Sequence, residues 1–138
     1  MRVSFIPRAK AGIYLGKAEE FLRAAEAAAE RKEWNAVGLG SVHAGISAVD
    51  AITTFYLGER SRDPDHQVAA QLLRRVPLPE AAPHAEQFAL VVREKNRIEY
   101  EAALFRAKEA QATMLRAKRL VSWARVVVSW NPPTGGHG

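Results

Sequence analysis

The sequence predicts an all-α fold, an antiparallel bundle of four to five helices. Three observations carry this expectation. Apolar residues recur at three-to-four spacing through several long segments. Glycine and proline fall mostly at the boundaries between those segments. No stretch alternates with the period of two that marks a half-buried strand.

The first helix is expected over about Ile13 to Lys32. Tyr14, Leu15, Ala18, Phe21, Leu22, Ala25 and Ala29 form one apolar stripe, and Glu19 precedes Arg23 by four as a surface pair. The second is expected over Trp34 to Leu57, with Gly58 as its C-terminal stop. Its apolar residues spread around most of the circumference, so it must be buried on several sides. Gly38, Gly40, Ala44, Gly45, Ala48 and Ala51 are small enough for neighbouring helices to approach its backbone closely.

Asp63-Pro64 reads as an N-cap and first helical position, opening a third helix over about Asp65 to Arg75. Pro77, Pro79 and Pro83 then make a stiff connection. A fourth helix covers about His84 to Lys95, and Asn96 to Leu104 form an irregular crossing. The fifth runs from about Arg106 to Ser129, with Ala107, Ala110, Met114, Ala117, Val121, Ala124 and Val128 as a bundle seam. Residues 1–130 make one domain, and 131–138 form a tail expected to be mobile.

At 138 residues and 48% apolar content, the chain can bury a core without disulfides or a structural metal. There is no cysteine, which removes disulfide scaffolds, thiol catalysis and cysteine-based zinc sites together. No secretory h-region opens the sequence, and no run approaches roughly 18 uninterrupted apolar residues. A cytoplasmic protein without a membrane span or cofactor is expected. The net charge is +5. From Arg106 to Arg125, six basic residues face one acid, Glu109. Such a helix attracts RNA or DNA. Alternatively it is a solvated face, or is paired with acids elsewhere in the fold. With Trp123 and Trp130 it also has the makings of a membrane-surface helix, although the seam is better explained as core.

Four groups of polar residues are candidates for chemistry. His43, Ser47, Asp50 and Thr54 lie on one line of the second helix. That line is either a cleft wall, with Asp50 orienting a basic partner, or a satisfied interior network in which Asp50 bonds an arginine. Arg60, Arg62 and His66 lie in a loop entering the third helix. An arginine can stabilise a pentavalent phosphate while a histidine moves a proton, so this group suits phosphate binding or RNA cleavage. Lys95, Asn96, Arg97 and Tyr100 could hold phosphates or stack a base. They read equally as a helix end, with Asn96 as cap and Tyr100 closing the core. His43, His66, His84 and Asp50 could in principle converge on a metal, but no His-x-x-x-His pair supports it, and none is expected.

The order of these pieces resembles the HEPN family, the higher eukaryotes and prokaryotes nucleotide-binding domain. The carrying segments are Tyr14 to Phe21, Val42 to Ala51, Gly58 to His66, Lys95-Asn96-Arg97-Ile98-Glu99-Tyr100, and Ala117 to Ala124. The resemblance implies a homodimeric bundle that binds RNA, a nucleotide or a partner protein, in toxin–antitoxin or other defence systems, sometimes with a nucleotidyltransferase partner. Active members are metal-independent ribonucleases using an arginine, a polar residue and a later histidine. Lys95 stands where that arginine belongs, Asn96 matches the polar residue, and Tyr100 stands where the histidine belongs. Lysine lacks the bidentate fork, and tyrosine is a poor base near neutral pH. The resemblance therefore implies a non-catalytic binder. An active endoribonuclease drawing on Arg60, His66, Lys95 and Tyr100 in one dimer cleft is the alternative.

Overall fold

The structure is a computed structural model that describes residues 2–129. Five α-helices are present among them: α1 (Ala11–Glu30), α2 (Trp34–Leu57), α3 (Gln67–Leu73), α4 (Ala81–Tyr100) and α5 (Ala107–Ser129). Trp130 and the tail over 131–138 lie outside the described residues.

α2 is the central element, packed against α1, α4 and α5. Its apolar residues spread around most of the circumference, so neighbours have to cover it on several sides. Val37, Val42, Val49 and Ile52 on α2 are fully buried, as are Phe88 and Val91 on α4 and Leu120 and Val121 on α5. Three residues, Arg31 to Glu33, fold α2 back along α1. Lys32 takes a left-handed conformation in that turn, with φ 58°. Gly58 closes α2 at φ 64°, and its N–H returns to the carbonyls of Thr53 and Thr54, as its position in the sequence predicts.

Small residues on α2 allow the close approach. A Cβ on Gly38 would sit 2.6 Å from the Phe105 ring and 2.8 Å from Ile98 Cδ1. On Gly45 it would meet Val91 Cγ1 at 3.3 Å. Phe105 is locked onto α2, because its N–H donates to Asn35 Oδ1 at 2.8 Å.

Several boundaries differ from the sequence reading. α4 begins at Ala81, so Pro83 lies inside its first turn rather than in the connection. Proline suits a first turn, where its missing N–H has no carbonyl to serve. α4 also runs on through Asn96 to Tyr100, where the sequence predicts an irregular crossing. The polar run pairs with itself along the helix. Lys95 Nζ donates to Glu99 Oε2 at 3.0 Å and Arg97 Nη1 to Glu94 Oε2 at 2.9 Å. Meanwhile Ile98 packs inward. Asn96 is thus mid-helix rather than a cap. Tyr100 is 76% exposed and does not close the core. α3 begins only at Gln67. Asp63 Oδ1 accepts from the Asp65 N–H and Asp65 Oδ1 from the Gln67 N–H, each at 3.0 Å, so Asp63 shapes the approach rather than capping the helix.

A two-stranded antiparallel sheet is also present, where no strand is expected. β1 (Val3–Phe5) pairs with β2 (Glu59–Ser61), with Ser4 opposite Arg60. Three-residue strands are too short to show a period. By length and composition α2 could cross a membrane, but 72% of its apolar window is buried inside the bundle. The basic α5 lies along α1, and two of its cations are paired there. Arg125 Nε donates to Glu19 Oε2 at 3.0 Å, and Lys118 Nζ lies 3.4 Å from Glu26 Oε2.

Glycine substitutions separate packing from helix propensity. Gly38→Ala should lower stability by about 1–3 kcal/mol, because the Phe105 ring and Ile98 must move. Gly16→Ala, with nothing within 4 Å of the new methyl, should raise it by about 0.5–1 kcal/mol. Urea unfolding of the two variants measures both.

Candidate functional site

The polar line of α2 opens onto a cavity of about 520 Å³. His43, Ser47 and Asp50 form one wall, Tyr14, Lys17, Glu20 and Phe21 of α1 form another, and Arg60 and His66 close the side toward α3. A second cavity of about 540 Å³ adjoins it, lined by Asp63, Asp65, His66, Gln67, Arg93, Lys95 and Asn96 among others. His66 belongs to both. Of the sequence candidates, His43, Ser47, Asp50, Arg60, His66, Lys95 and Asn96 line this double cleft.

The sheet aims Arg60. In a strand, neighbouring side chains point to opposite faces, so Arg60 departs from Glu59 and Ser61. Glu59 Oε2 lies 3.6 Å from Arg75 Nη1, while Arg60 Nε donates to Asp50 Oδ2 at 2.9 Å. The guanidinium also lies 5.2 Å from the Tyr14 ring centroid. Both readings of the polar line therefore hold in part: Asp50 bonds an arginine, and the pair stands in a cleft wall. Since a guanidinium carries five N–H donors, holding it by Nε leaves an outer edge for an oxyanion. Thr54 does not share this role. It is fully buried, and its Oγ1 has no hydrogen-bond partner.

Burial pushes the Asp50 carboxyl up to about 6, outweighing the bond and charge of Arg60 that act to lower it. Burial also opposes the charge on Arg60, but the Asp50 hydrogen bond and charge, with Tyr14 adding to them, more than offset it, and its pKa is raised. Both cleft histidines are held below the ordinary value of 6.5. For His43 the cause is burial and then the Lys95 charge, opposed by Glu99. For His66 it is burial, then Lys95, then His43, opposed by Asp65 and Glu99. Both rings are thus largely neutral near pH 7, able to accept a proton and to donate a hydrogen bond. The His43 ring lies 5.3 Å from that of Phe21, which is 38% exposed.

The remaining candidates lie elsewhere. Arg97 turns toward α5, bridges Glu94 and Glu109, and sits 5.4 Å from the Phe105 ring centroid. Its bonds tie α4 to α5. Arg62 is exposed and lines neither cavity. Tyr100 is exposed and lines neither. His84 stacks on Trp123 at 4.0 Å, and its Nδ1 lies 2.8 Å from the Glu80 carbonyl oxygen, so it does not join His43 and His66. Among the described residues no group of three or more acidic or histidine side chains is placed to hold a metal ion.

Tyr14, Lys17, Glu20, Phe21, Gln67 and Arg93 are members of the cleft that sequence reasoning does not single out. Tyr14, Lys17 and Phe21 recur at helical spacing, which marks a shared face, yet the aromatic residues read as core stripe and the lysine as solvated surface. Comparison of the chain with known protein families, with curated proteins and with solved structures finds no match.

Asp50 makes stability fall as pH rises through the acid range. Its carboxyl titrates near 3.8 when unfolded and near 6 when folded, so the folded state holds the proton more tightly. Its contribution is therefore most favourable below about pH 4, falls as pH rises to about 6, and is lost above, by about 3 kcal/mol at most. Asp50→Asn should flatten that segment of the stability profile. Chemical unfolding from about pH 4 to about pH 7.5 checks it.

Proposed function

We propose that the chain is a HEPN-like helical protein whose double cleft binds a phosphate-bearing ligand, RNA or a nucleotide, without catalysing its turnover. The observation that carries the reading is the convergence of Arg60, Lys17 and Lys95 with two neutral histidines on two adjoining cavities. Arg60 is held in place by a buried carboxylate before any ligand arrives, which lowers the cost of ordering it. Phe21 and His43 place aromatic surface beside the cations, where an unstacked base can lie. A protein of this kind acts as a homodimer, and Tyr100 and Leu104 are exposed apolar side chains at the α4–α5 connection. A nucleotidyltransferase-type or other toxin–antitoxin partner belongs to the same reading.

Binding of single-stranded RNA should weaken as salt rises, because phosphates neutralised by Arg and Lys release counterions. Lys95→Ala should reduce the slope of log K against log salt by about one, and Arg60→Ala should weaken binding by about tenfold or more. Filter binding across a salt series measures both. Salt-independent retention of RNA, or an unchanged slope in both variants, would count against the reading.

His43 and His66 in one cleft with Arg60 favour a second reading, metal-independent RNA cleavage. One neutral ring would take the 2′-hydroxyl proton as that oxygen attacks phosphorus. A protonated partner ring would deliver a proton to the departing 5′-oxygen, and Arg60 would stabilise the charge on the phosphorane. If this holds, RNA is cut in the presence of EDTA, and His66→Ala lowers the rate by about 100-fold or more. RNA left intact at high enzyme concentration rejects it.

A further inference from the structure

We propose that the cleft takes up its phosphate-bearing ligand together with protons, so that binding strengthens steeply in mildly acidic solution. The proposal rests on reading the cleft as a phosphate site, and it begins from the fixed charges around each cavity. In the first, Lys17 and Arg60 face Glu20 and Asp50. In the second, Arg93 and Lys95 face Asp63 and Asp65. With Glu99 bonded to Lys95, neither cavity is net positive while its histidines are neutral. A cleft without net positive charge attracts a polyanion only weakly, whatever its shape.

Three groups can change that balance, and all three line the same cavity: His43 and Asp50 from α2 and His66 from the turn before α3. The charges acting on them come from every side. α1 contributes Lys17 and Glu20, β2 contributes Arg60, the turn before α3 contributes Asp63 and Asp65, and α4 contributes Arg93, Lys95 and Glu99. Protonating either histidine adds a cation. Protonating Asp50 removes a negative charge that repels an incoming phosphate, while the neutral carboxyl can still accept the Arg60 hydrogen bond.

Coupling runs both ways. Burial and the Lys95 charge hold the histidines neutral, and burial favours the proton on Asp50. A phosphate beside Lys95 offsets the repulsion of that charge toward a protonated ring and stabilises the imidazolium. By linkage, a ligand that raises proton affinity is itself bound more tightly when protons are abundant. Each proton taken up changes the Kd by up to about tenfold per pH unit.

The test uses a tetramethylrhodamine-labelled oligouridylate, whose phosphodiesters, bases and label do not titrate in the range examined. Its Kd is measured at about pH 7.5 and about pH 5.5 at one ionic strength, and its binding enthalpy is measured in buffers of different ionisation heat. The expected result is binding about tenfold tighter or more at the lower pH, with enthalpies that reveal net proton uptake. In the His43→Gln/His66→Gln double variant the acid gain should shrink severalfold. A Kd independent of pH with no net proton uptake overturns the proposal and leaves the phosphate reading standing, as does an undiminished gain in a His43→Gln/His66→Gln/Asp50→Asn variant whose circular dichroism matches the parent. Absence of binding at both pH values overturns the proposal together with the phosphate reading beneath it.

Discussion

A carboxylate set into the middle of an apolar helix has to find a counter-charge, and Asp50 finds it in Arg60 across a three-residue strand. Only 6% of the Asp50 side chain is exposed, so solvent supplies little of the stabilisation a free carboxylate would have. One hydrogen-bonded guanidinium does not fully compensate, as the upward shift of the carboxyl shows. Such pairs are seldom a net source of stability. What this one contributes is position. It fixes the charged end of Arg60 beside Tyr14, on the rim shared by α1, α2 and the approach to α3.

The small sheet follows from the same requirement. β1 and β2 add almost no core, yet their pairing sets the register of Arg60 opposite Ser4. Gly58 reverses the chain between α2 and β2, and its N–H completes the end of α2. Helix end, turn and strand thus form one device that carries a cation back to a helix it has just left. The bundle supplies the rigid frame. Glycines at 38 and 45 let Phe105, Val91 and Leu120 approach the α2 backbone, and that approach holds α4 and Lys95 near the cleft.

Much of this was legible beforehand. The start and end of α2, its many-sided burial, its glycine stop and the seam of α5 all follow from period and composition, which depend on local backbone geometry. The line of His43, Ser47 and Asp50 was legible as a shared face for the same reason. The extension of α4 through Asn96 was not. Its polar residues gave no apolar period, and the ion pairs that support it run along the helix surface. The participation of Lys17 and Phe21 was hidden as well. A lysine and an aromatic on an amphipathic helix look alike whether they face solvent or a cleft, until the neighbouring helix is in place.

The sequence by itself determined the helical class, the central helix and the residue types able to bind phosphate, because propensity, periodicity and capping act over a few residues. Only the tertiary structure decided which of those residues meet. It joined Arg60 to Asp50, put His43 and His66 in one cavity, drew Lys95 toward them, and turned Arg97 and Tyr100 away. Those outcomes depend on how helices distant in the chain dock against one another. Docking is governed by side-chain volumes at close approaches such as Gly38 and Gly45, and no local rule of spacing encodes where the resulting cleft will lie.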